Sequence, residues 1–188
     1  MPTFDYACKR VEFVGEYDGV YSCINDGRFY ENPFLEEVRG LALGGTYLDI
    51  GTNIGNHAMF FAMFCPSEKV IGFEPVRPWR ERAIANLEAN GLTGKVQLIP
   101  QGLSDRIEEI VFKPHTTEFR LECVTLDHAL PHVSGVTFVK MDIEGYEPKA
   151  LLGGREFFRR NRPVIAAEAL GSADALSTAA QVIGYRVT

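Results

Sequence analysis

The chain has 188 residues, which suits one globular domain or one domain with a short extension. Its composition, 46% hydrophobic and 23% charged, excludes a disordered or fibrous protein. The net charge of −6 disfavours a nucleic-acid partner, because an acidic surface is repelled by phosphate backbones.

The N-terminus lacks the apolar stretch of a signal peptide, and the longest apolar run, residues 58–65, is far too short to cross a bilayer. The four cysteines are widely spaced and form no CxxC pair, which is typical of free thiols in a reducing compartment. We therefore expect a cytoplasmic protein that neither enters nor contacts a membrane.

Residues 1 to about 45 show no regular alternation of elements. They contain the aromatic-rich pieces VEFVGEY and GVYSCI, followed by a predicted short helix over 33–43. We interpret residues 1–45 as an N-terminal extension of short strands and a helix, and residues 46–188 as the main domain. Tyr17, Tyr21, Phe29 and Tyr30 are candidates for the wall of a ligand pocket or, as is more common for aromatic residues, for the core.

From residue 46 onward, strand-like apolar runs alternate with helical segments, which predicts an α/β domain with a mostly parallel sheet. Strands are predicted over residues 47–50, 69–73, 96–100, 137–141 and 164–168. Helices are predicted over residues 56–64, 78–90, from about 148 onward, and 172–183. Two β-rich pieces, 107–112 and 119–126, flank the turn-prone KPHTTE and predict an inserted β-hairpin near 106–126.

The turn between the first strand and the first helix has the spacing D-x-G-x-N-x-G, formed by Asp49, Gly51, Asn53 and Gly55. In open parallel sheets, ligands bind at the carboxyl ends of strands near such turns. Gly51 allows a sharp bend and close approach to a ligand, and Gly55 allows close packing of strand against helix. A dinucleotide site would need G-x-G-x-x-G to hold a pyrophosphate, and this turn lacks that spacing.

Glu74 closes the second predicted strand, where an acidic side chain can accept hydrogen bonds from both ribose hydroxyls of a nucleoside. A donor with an ammonium group, a sulfonium and a ribose, such as S-adenosylmethionine, suits the pair of carboxylates at Asp49 and Glu74. The alternative is that Gly51 and Gly55 only shape a structural turn.

The loop after the third strand, residues 101–105, is expected beside the adenine of such a donor. Leu103 and Ser104 are the candidates for contacts with the adenine face and edge. An ordinary polar turn is an equally good interpretation of either residue.

The fourth strand runs into a charged cluster, VKMDIEGYE over residues 139–147, which places carboxylates at the mouth of the site. Asp142 and Glu144 alternate with apolar residues and face one side while strand geometry lasts. Methyl transfer to a hydroxyl benefits from a nearby base, and Asp142, Glu144 and His57 are the candidates.

Two of these candidates, His57 and Glu144, also have a simpler interpretation. His57 can hydrogen-bond within its own turn, and Glu144 can cap the helix that follows. Asp142, Glu144 and His57 together could hold Mg²⁺ or Ca²⁺, but two carboxylates without a third clear ligand are a weak basis, so no metal is predicted.

Four segments in this order, LDIGTNIGNH, GFEP, VTLDHAL and KMDIEGYEPKALLGG, resemble the FkbM-type methyltransferases, a class I family. The resemblance covers about residues 47 to 184, and its last segment is the most specific. It implies a Rossmann-like fold with helices on both faces of the sheet, S-adenosylmethionine as methyl donor, and usually O-methylation of a sugar or another small metabolite.

The resemblance also implies roles for individual residues. Asp142 would lie near the transferred methyl group. The residues expected around the donor are Asp49, Gly51, Thr52, Asn53, Gly55, Asn56, Glu74, Pro75, Leu103, Ser104 and Asp142.

One departure from class I enzymes concerns the C-terminus. Those enzymes normally finish with an antiparallel strand pair, and here the chain stops at GYRVT, so the final strand is expected to be missing. Either the chain is trimmed, or another molecule completes the edge. An unpaired edge invites association, so a homodimer through this edge is possible.

Two other functions compete with a methyltransferase of small molecules. A module that binds the donor without turnover is compatible with the missing strand. An NAD-dependent oxidoreductase fits less well, because both the third glycine and a Tyr-x-x-x-Lys pair are absent. A nucleic-acid base methyltransferase is disfavoured. Those enzymes commonly carry an Asn/Asp-Pro-Pro-aromatic motif after the fourth strand to bind a planar amine, and residues 142–145 here read D-I-E-G.

Overall fold

The computed structural model describes residues 1–114, 116–169 and 173–186. Its centre is a five-stranded sheet in which every neighbouring pair is parallel, in the order β10-β9-β3-β4-β5. The strands of this sheet are β3 (Gly45–Ile50), β4 (Ser67–Phe73), β5 (Val96–Ile99), β9 (Val136–Met141) and β10 (Val164–Ala167). The parallel α/β sheet predicted from the sequence is therefore confirmed, with strand ends that differ by one or two residues.

Seven α-helices are found in the described part of the chain. They are α1 (Asn32–Gly40), α2 (Asn56–Phe64), α3 (Arg77–Ala89), α4 (Leu126–Ala129), α5 (Glu147–Leu152), α6 (Arg155–Asn161) and α7 (Ala173–Val182). The helix predicted over 172–183 corresponds to α7, and residue 172 lies outside the described residues. The single helix predicted from about residue 148 is in fact two, α5 and α6, because the chain turns at residues 153–154 between them.

Two apolar clusters cover the two faces of the sheet. The first packs α2 against the N-terminal residues, with Phe13, Phe29, Phe60 and Phe61 almost fully buried. The second packs α5, α6 and α7 against the opposite face. Because α2 is apolar on nearly all sides, it lies in the interior, with residues 56–62 buried.

Residues 1–45 form a hairpin of β1 (Thr3–Tyr6) and β2 (Lys9–Glu12), a 3₁₀ helix (Gly19–Ile24) and α1. Their aromatic side chains enter the first apolar cluster, where Phe29 contacts Phe60 edge-on at 5.2 Å between ring centroids. The N-terminal segment thus shares a core with the sheet domain.

The inserted hairpin predicted near residues 106–126 is present as β7 (Glu108–Phe112) and β8 (Phe119–Val124), which pair antiparallel. A short strand, β6 (Gly102–Leu103), pairs with β8 in parallel and makes this a three-stranded sheet. The prediction that the second strand reaches residue 126 is wrong, because Thr125 accepts a hydrogen bond from the His128 amide and starts α4.

Within the described residues, no strand follows α7, and β10 is one edge of the five-stranded sheet. A homodimer through this edge stays a prediction. None of the helices in the described ranges has both the length and the apolar character that crossing a membrane requires.

Candidate functional site

A cleft of about 940 Å³ lies at the carboxyl ends of β3, β4 and β9. The strand order reverses at β3, because the chain proceeds from β3 through β4 to β5 and then returns to β9 on the other side. Such a reversal leaves a crevice between the loops that leave the two central strands. The N-terminal residues 16–21 and the β7–β8 hairpin form the outer walls of the cleft.

The turn from β3 to α2 depends on glycine at two positions. Gly51 has φ +83°, and a Cβ there would lie 1.9 Å from the carbonyl oxygen of Asp142. Gly55 has φ +87°, and a Cβ there would lie 3.3 Å from the Cβ of Ala83. The predicted packing partner of Gly55 is therefore wrong: the close neighbour is α3, which crosses the start of α2, and not a strand.

Glu74 is held in a fixed orientation at the end of β4. One of its carboxylate oxygens accepts the amide of Asn53 at 2.7 Å, and the other accepts the amide of Val76 at 2.8 Å. Burial raises the pKa of this carboxyl to about 7, although the two backbone hydrogen bonds oppose the shift. Glu74 lines the cleft, and each oxygen keeps a second lone pair for a hydrogen bond from a ligand.

Asp49 is fully buried, and within the described residues neither of its carboxylate oxygens has a hydrogen-bond partner. The ammonium of Lys140 lies 3.7 Å from one of these oxygens. Burial raises the pKa of Asp49, and Lys140 opposes that shift. Lys140 also donates to the carbonyl oxygen of Gly51 at 3.3 Å.

Lys140 was not among the residues predicted from the sequence. Its side chain is only 6% exposed, and it is the last residue but one of β9, which is buried over residues 138–141. The signal lies in the strand register: Lys140 is the partner of Asp49 across β9 and β3. Opposite charges on directly paired positions compensate each other, but the register is known only once the sheet is formed.

Asp142 follows β9 and lies beside both Lys140 and Glu168. Its carboxylate is 3.3 Å from the Lys140 ammonium, and its side chain hydrogen-bonds with that of Glu168, which follows β10. Burial opposes the charge on Asp142, but Lys140 and Glu168 together lower its pKa. Burial and then Asp142 raise the pKa of Glu168 to about 7, so the pair shares a proton near neutral pH.

Glu144 lines the same cleft, and its charge also contributes to the raised pKa of Glu168. It is exposed on the cleft rim with φ +56°, so the predicted alternation with Asp142 on one strand face is wrong, because β9 ends at Met141. The alternative role of Glu144 as a helix cap is also wrong. It is Glu147 that accepts the amide of Ile143, at 2.7 Å, and stabilises the turn before α5.

His57 lies near the start of α2 and lines the cleft. Its Nε2 atom is 2.9 Å from a carboxylate oxygen of Glu31, so its partner comes from the N-terminal segment and not from its own turn. Burial and then Lys140 lower the pKa of His57, while Glu31 opposes the shift. Glu31 has φ +55°, an uncommon conformation for this residue type.

The other predicted donor residues fall into two groups. Pro75 and Leu103 line the cleft, as do Gly51, Asn53, Glu74 and Asp142. Thr52, Asn56 and Ser104 are buried and bond to the protein itself: to the carbonyl oxygen of Asp49, to the backbone of Tyr30 and to the carboxylate of Glu108, respectively. These three polar side chains hold the loops around the cleft in place.

The aromatic candidates divide in the same way. Tyr17, Tyr21 and Tyr30 line the cleft, and the rings of Tyr21 and Tyr30 meet edge-on at 5.1 Å. Phe29 lies in the core instead. Trp79 also lines the cleft and contacts the ring of Phe112 on the inserted hairpin.

Among the described residues, no group of three histidine, cysteine or acidic side chains is arranged to hold a metal ion.

Comparison with known proteins gives one family match. A sequence model described as the methyltransferase FkbM domain matches residues 49–183. The AMB antimetabolite synthetase AmbE of Pseudomonas aeruginosa is 35% identical over an 88-residue alignment that covers 44% of this chain and 4% of that protein.

Two solved structures are similar in fold. The FkbM methyltransferase of Methylobacillus flagellatus superimposes with a TM-score of 0.62 at 20% identity, over 89% of this chain and 47% of that one. A putative tRNA (m1A22) methyltransferase of Streptococcus pneumoniae, solved with S-adenosyl-L-methionine, superimposes with a TM-score of 0.55 at 18% identity, over 81% of this chain and 61% of that one. At these identities the likeness establishes the fold alone, which is the Rossmann-like class I methyltransferase fold. The chain spans less than half the length of the FkbM structure and a small part of AmbE.

Proposed function

This chain belongs to the methyltransferase FkbM domain family, and on that premise we propose that it transfers a methyl group from S-adenosylmethionine to a hydroxyl of a sugar or another small metabolite. The observation that carries the proposal is the orientation of Glu74. Its carboxylate stands at the carboxyl end of β4, is fixed by two backbone amides and lines a cleft at the reversal of the strand order.

The residues around the cleft fit the donor in three respects. Glu74 offers two oxygens to a pair of adjacent ribose hydroxyls. Pro75 and Leu103 offer apolar surface to a flat heterocycle. The buried carboxylate of Asp49, whose oxygens have no hydrogen-bond partner within the described residues, places a negative charge two residues before Gly51, where it would favour the ammonium group of the donor.

S-adenosylmethionine supplies an electrophilic methyl group on a sulfonium when it is bound. The protein then has to place an acceptor oxygen in line with that group and remove its proton. Asp142 and Glu168 are suited to the second task, because the pair shares a proton near neutral pH and can accept another from a hydroxyl. The ammonium of Lys140, 3.3 Å from the carboxylate of Asp142, holds that side chain in position.

Isothermal titration with S-adenosylmethionine and S-adenosylhomocysteine tests the donor site. We expect saturable binding of both and none of NAD. Glu74→Ala should weaken binding by at least about tenfold, since a charge-assisted hydrogen bond contributes about 1.5–3 kcal/mol. Glu81→Ala is the matched control, because Glu81 is an exposed acid on α3 that pairs with Arg77 on the same helix.

Trp79 is the only tryptophan in the sequence and lines the cleft, so its fluorescence gives an independent measure of the same binding. Absence of any binding of donor and demethylated product would contradict the proposal. Equal binding by Glu74→Ala and the unaltered protein would contradict the assigned orientation of the ribose.

A further inference from the structure

A second cavity, of about 240 Å³, lies between α1 and β10. We call it the α1–β10 cavity. Phe34 and Ala166 give it apolar walls, and Glu31 lies at its α1 side. Its remaining polar wall consists of Lys140, Asp142 and Glu168, and these three residues also line the main cleft. The two cavities therefore meet at one set of side chains.

We propose that the α1–β10 cavity is the acceptor pocket and that it takes a single hydroxylated ring that is neutral or positively charged, in preference to an acidic one. This inference rests on the proposed function, because it takes the main cleft as the donor site. A hydroxyl placed where the two cavities meet, beside Asp142 and Glu168, can approach a methyl group held in the main cleft directly, with its proton within reach of the carboxylate pair.

The charges of the cavity favour this class of acceptor. Among the residues that the structure describes, Lys140 is the one cation in its wall, and its charge is already compensated by Asp49 from inside the sheet and by Asp142. Glu31 faces a buried histidine, and burial disfavours the charged form of that ring. An anionic acceptor would thus meet carboxylates with no free cation in this wall, whereas an ammonium group would be attracted.

The size of the cavity limits the acceptor. At about 240 Å³ it is smaller than the roughly 300–1,000 Å³ of pockets that hold drug-sized ligands. Part of the cavity volume is present because the side chain of Ala166 ends at the β-carbon. The ring of Phe34 offers a flat apolar surface to one face of a sugar ring.

The proposed methyl transfer needs no reactant besides the donor, the acceptor hydroxyl and the Asp142–Glu168 pair. The acceptor oxygen forms the new C–O bond as the C–S bond of the donor breaks, and the electron pair of that bond stays on the sulfur of the leaving thioether. The hydroxyl proton passes to the Asp142–Glu168 pair.

Three pyranoses that differ in charge provide the test: D-glucosamine, D-glucose and D-glucuronate. Their binding to the protein saturated with S-adenosylhomocysteine is measured by saturation-transfer NMR and titration. We expect glucosamine to bind at least about tenfold more tightly than glucuronate, which is the scale of one charge-assisted contact. Glucose should fall between them. Glu168→Gln removes one exposed carboxylate and should reduce the ratio between the affinities for glucosamine and glucuronate.

Two substitutions on β10 locate the binding. Ala166→Phe fills the α1–β10 cavity and should weaken all three sugars while leaving the affinity for S-adenosylhomocysteine unchanged. Val164→Phe is the control, because Val164 lies two residues earlier on the same face of β10, is exposed and does not line the cavity. Val164→Phe should alter neither the affinity for the sugars nor the affinity for S-adenosylhomocysteine.

The outcomes separate this inference from the proposed function. Failure to bind S-adenosylhomocysteine would contradict both. Normal binding of S-adenosylhomocysteine, together with no sugar binding or with glucuronate bound as tightly as glucosamine, would overturn the acceptor pocket and leave the donor site intact. Sugar binding that is insensitive to Ala166→Phe would overturn the location. Should Ala166→Phe fail to fold, Glu168→Gln still decides the charge preference.

Discussion

The ammonium of Lys140 lies 3.7 Å from a carboxylate oxygen of Asp49, and both side chains are almost completely excluded from solvent. The two residues are direct partners across β9 and β3. Removing one partner of a buried ion pair leaves an uncompensated charge, which is far more destabilising than losing an exposed pair. This pair connects the middle of the sheet to the floor of the cleft, since Lys140 also contacts Gly51 and Asp142.

We expect Lys140→Met to lower the free energy of unfolding by about 3 kcal/mol near neutral pH. The loss should shrink at low pH, because Asp49 can then be buried in its neutral form. A carboxyl whose pKa is raised by folding stabilises the protein fully below its unfolded pKa and loses that contribution as the pH rises. Urea denaturation over a range of pH measures this.

Lys69→Met is the control for that substitution, because Lys69 is an exposed lysine on β4 that bonds to Gln97. Its effect should be small and independent of pH. An equal loss in both variants would show that the Asp49 charge is not the cause.

Gly51→Ala should destabilise the protein and abolish donor binding. A Cβ at this position would overlap the carbonyl oxygen of Asp142 at 1.9 Å, and φ is +83°. Gly91→Ala is the matched control, because Gly91 has φ +66° but no heavy atom of the described residues lies within 4 Å of an added Cβ. The control isolates the conformational penalty, about 1–2 kcal/mol. Thermal denaturation should place Gly51→Ala well below Gly91→Ala, and similar stabilities would contradict the predicted overlap.

Glu74 should contribute a specific dependence of stability on pH. Its pKa in the folded protein is about 7, raised from 4.5 chiefly by burial. The folded state therefore holds this proton more tightly than the unfolded chain, so the contribution is full below about pH 4.5 and is lost as the pH rises through about 7. The stability difference between the unaltered protein and Glu74→Gln should fall by about 3 kcal/mol over that interval. A constant difference would mean that Glu74 ionises normally.

Asn86 should control how firmly the N-terminal segment covers the cleft. Its side chain is fully buried, accepts the amide of Val14 and the hydroxyl of Tyr17, and donates to the carbonyl oxygen of Ile54. Asn86→Ala removes the side-chain partner of the Val14 amide and of the Ile54 carbonyl oxygen, at about 1–3 kcal/mol for each buried group, while the Tyr17 hydroxyl can still donate to the Val14 carbonyl oxygen. Hydrogen exchange should accelerate at residues 12–17.

Asn161→Ala provides the comparison for that experiment. Asn161 makes a similar bridge on α6, to the backbone of Val136 and Val133, far from the N-terminal segment. It should destabilise the protein without a selective increase of exchange at residues 12–17. If both variants accelerate exchange there equally, the effect is global and Asn86 has no special role.

Several residues predicted near the turn after β3 and the end of β4 do line the cleft, and this could be predicted because their positions follow from short-range patterns. Gly51 and Gly55 lie on one turn, and Glu74 ends the next strand, so local spacing and the parallel alternation of elements were enough to bring them together. The inserted hairpin was predicted for the same reason, since two β-rich pieces flank a turn-prone stretch. Which polar residues would turn inward was not predicted. Asn56 bonds to the backbone of Tyr30, which is distant along the chain, whereas Thr52 and Ser104 bond to the nearby residues Asp49 and Glu108.

The sequence by itself determined the alternation of the five central strands with helices, the bend after β3 and the acidic residue at the end of β4, because these follow from periodicity and from the conformational freedom of glycine. Only the tertiary structure decided that Lys140 compensates Asp49, that Glu168 joins Asp142 and that Glu31 reaches His57. The physical reason is that strand register and the packing of α1 against α2 join residues that are distant along the chain. Buried charges are compensated by neighbours in space, and no local pattern identifies those neighbours.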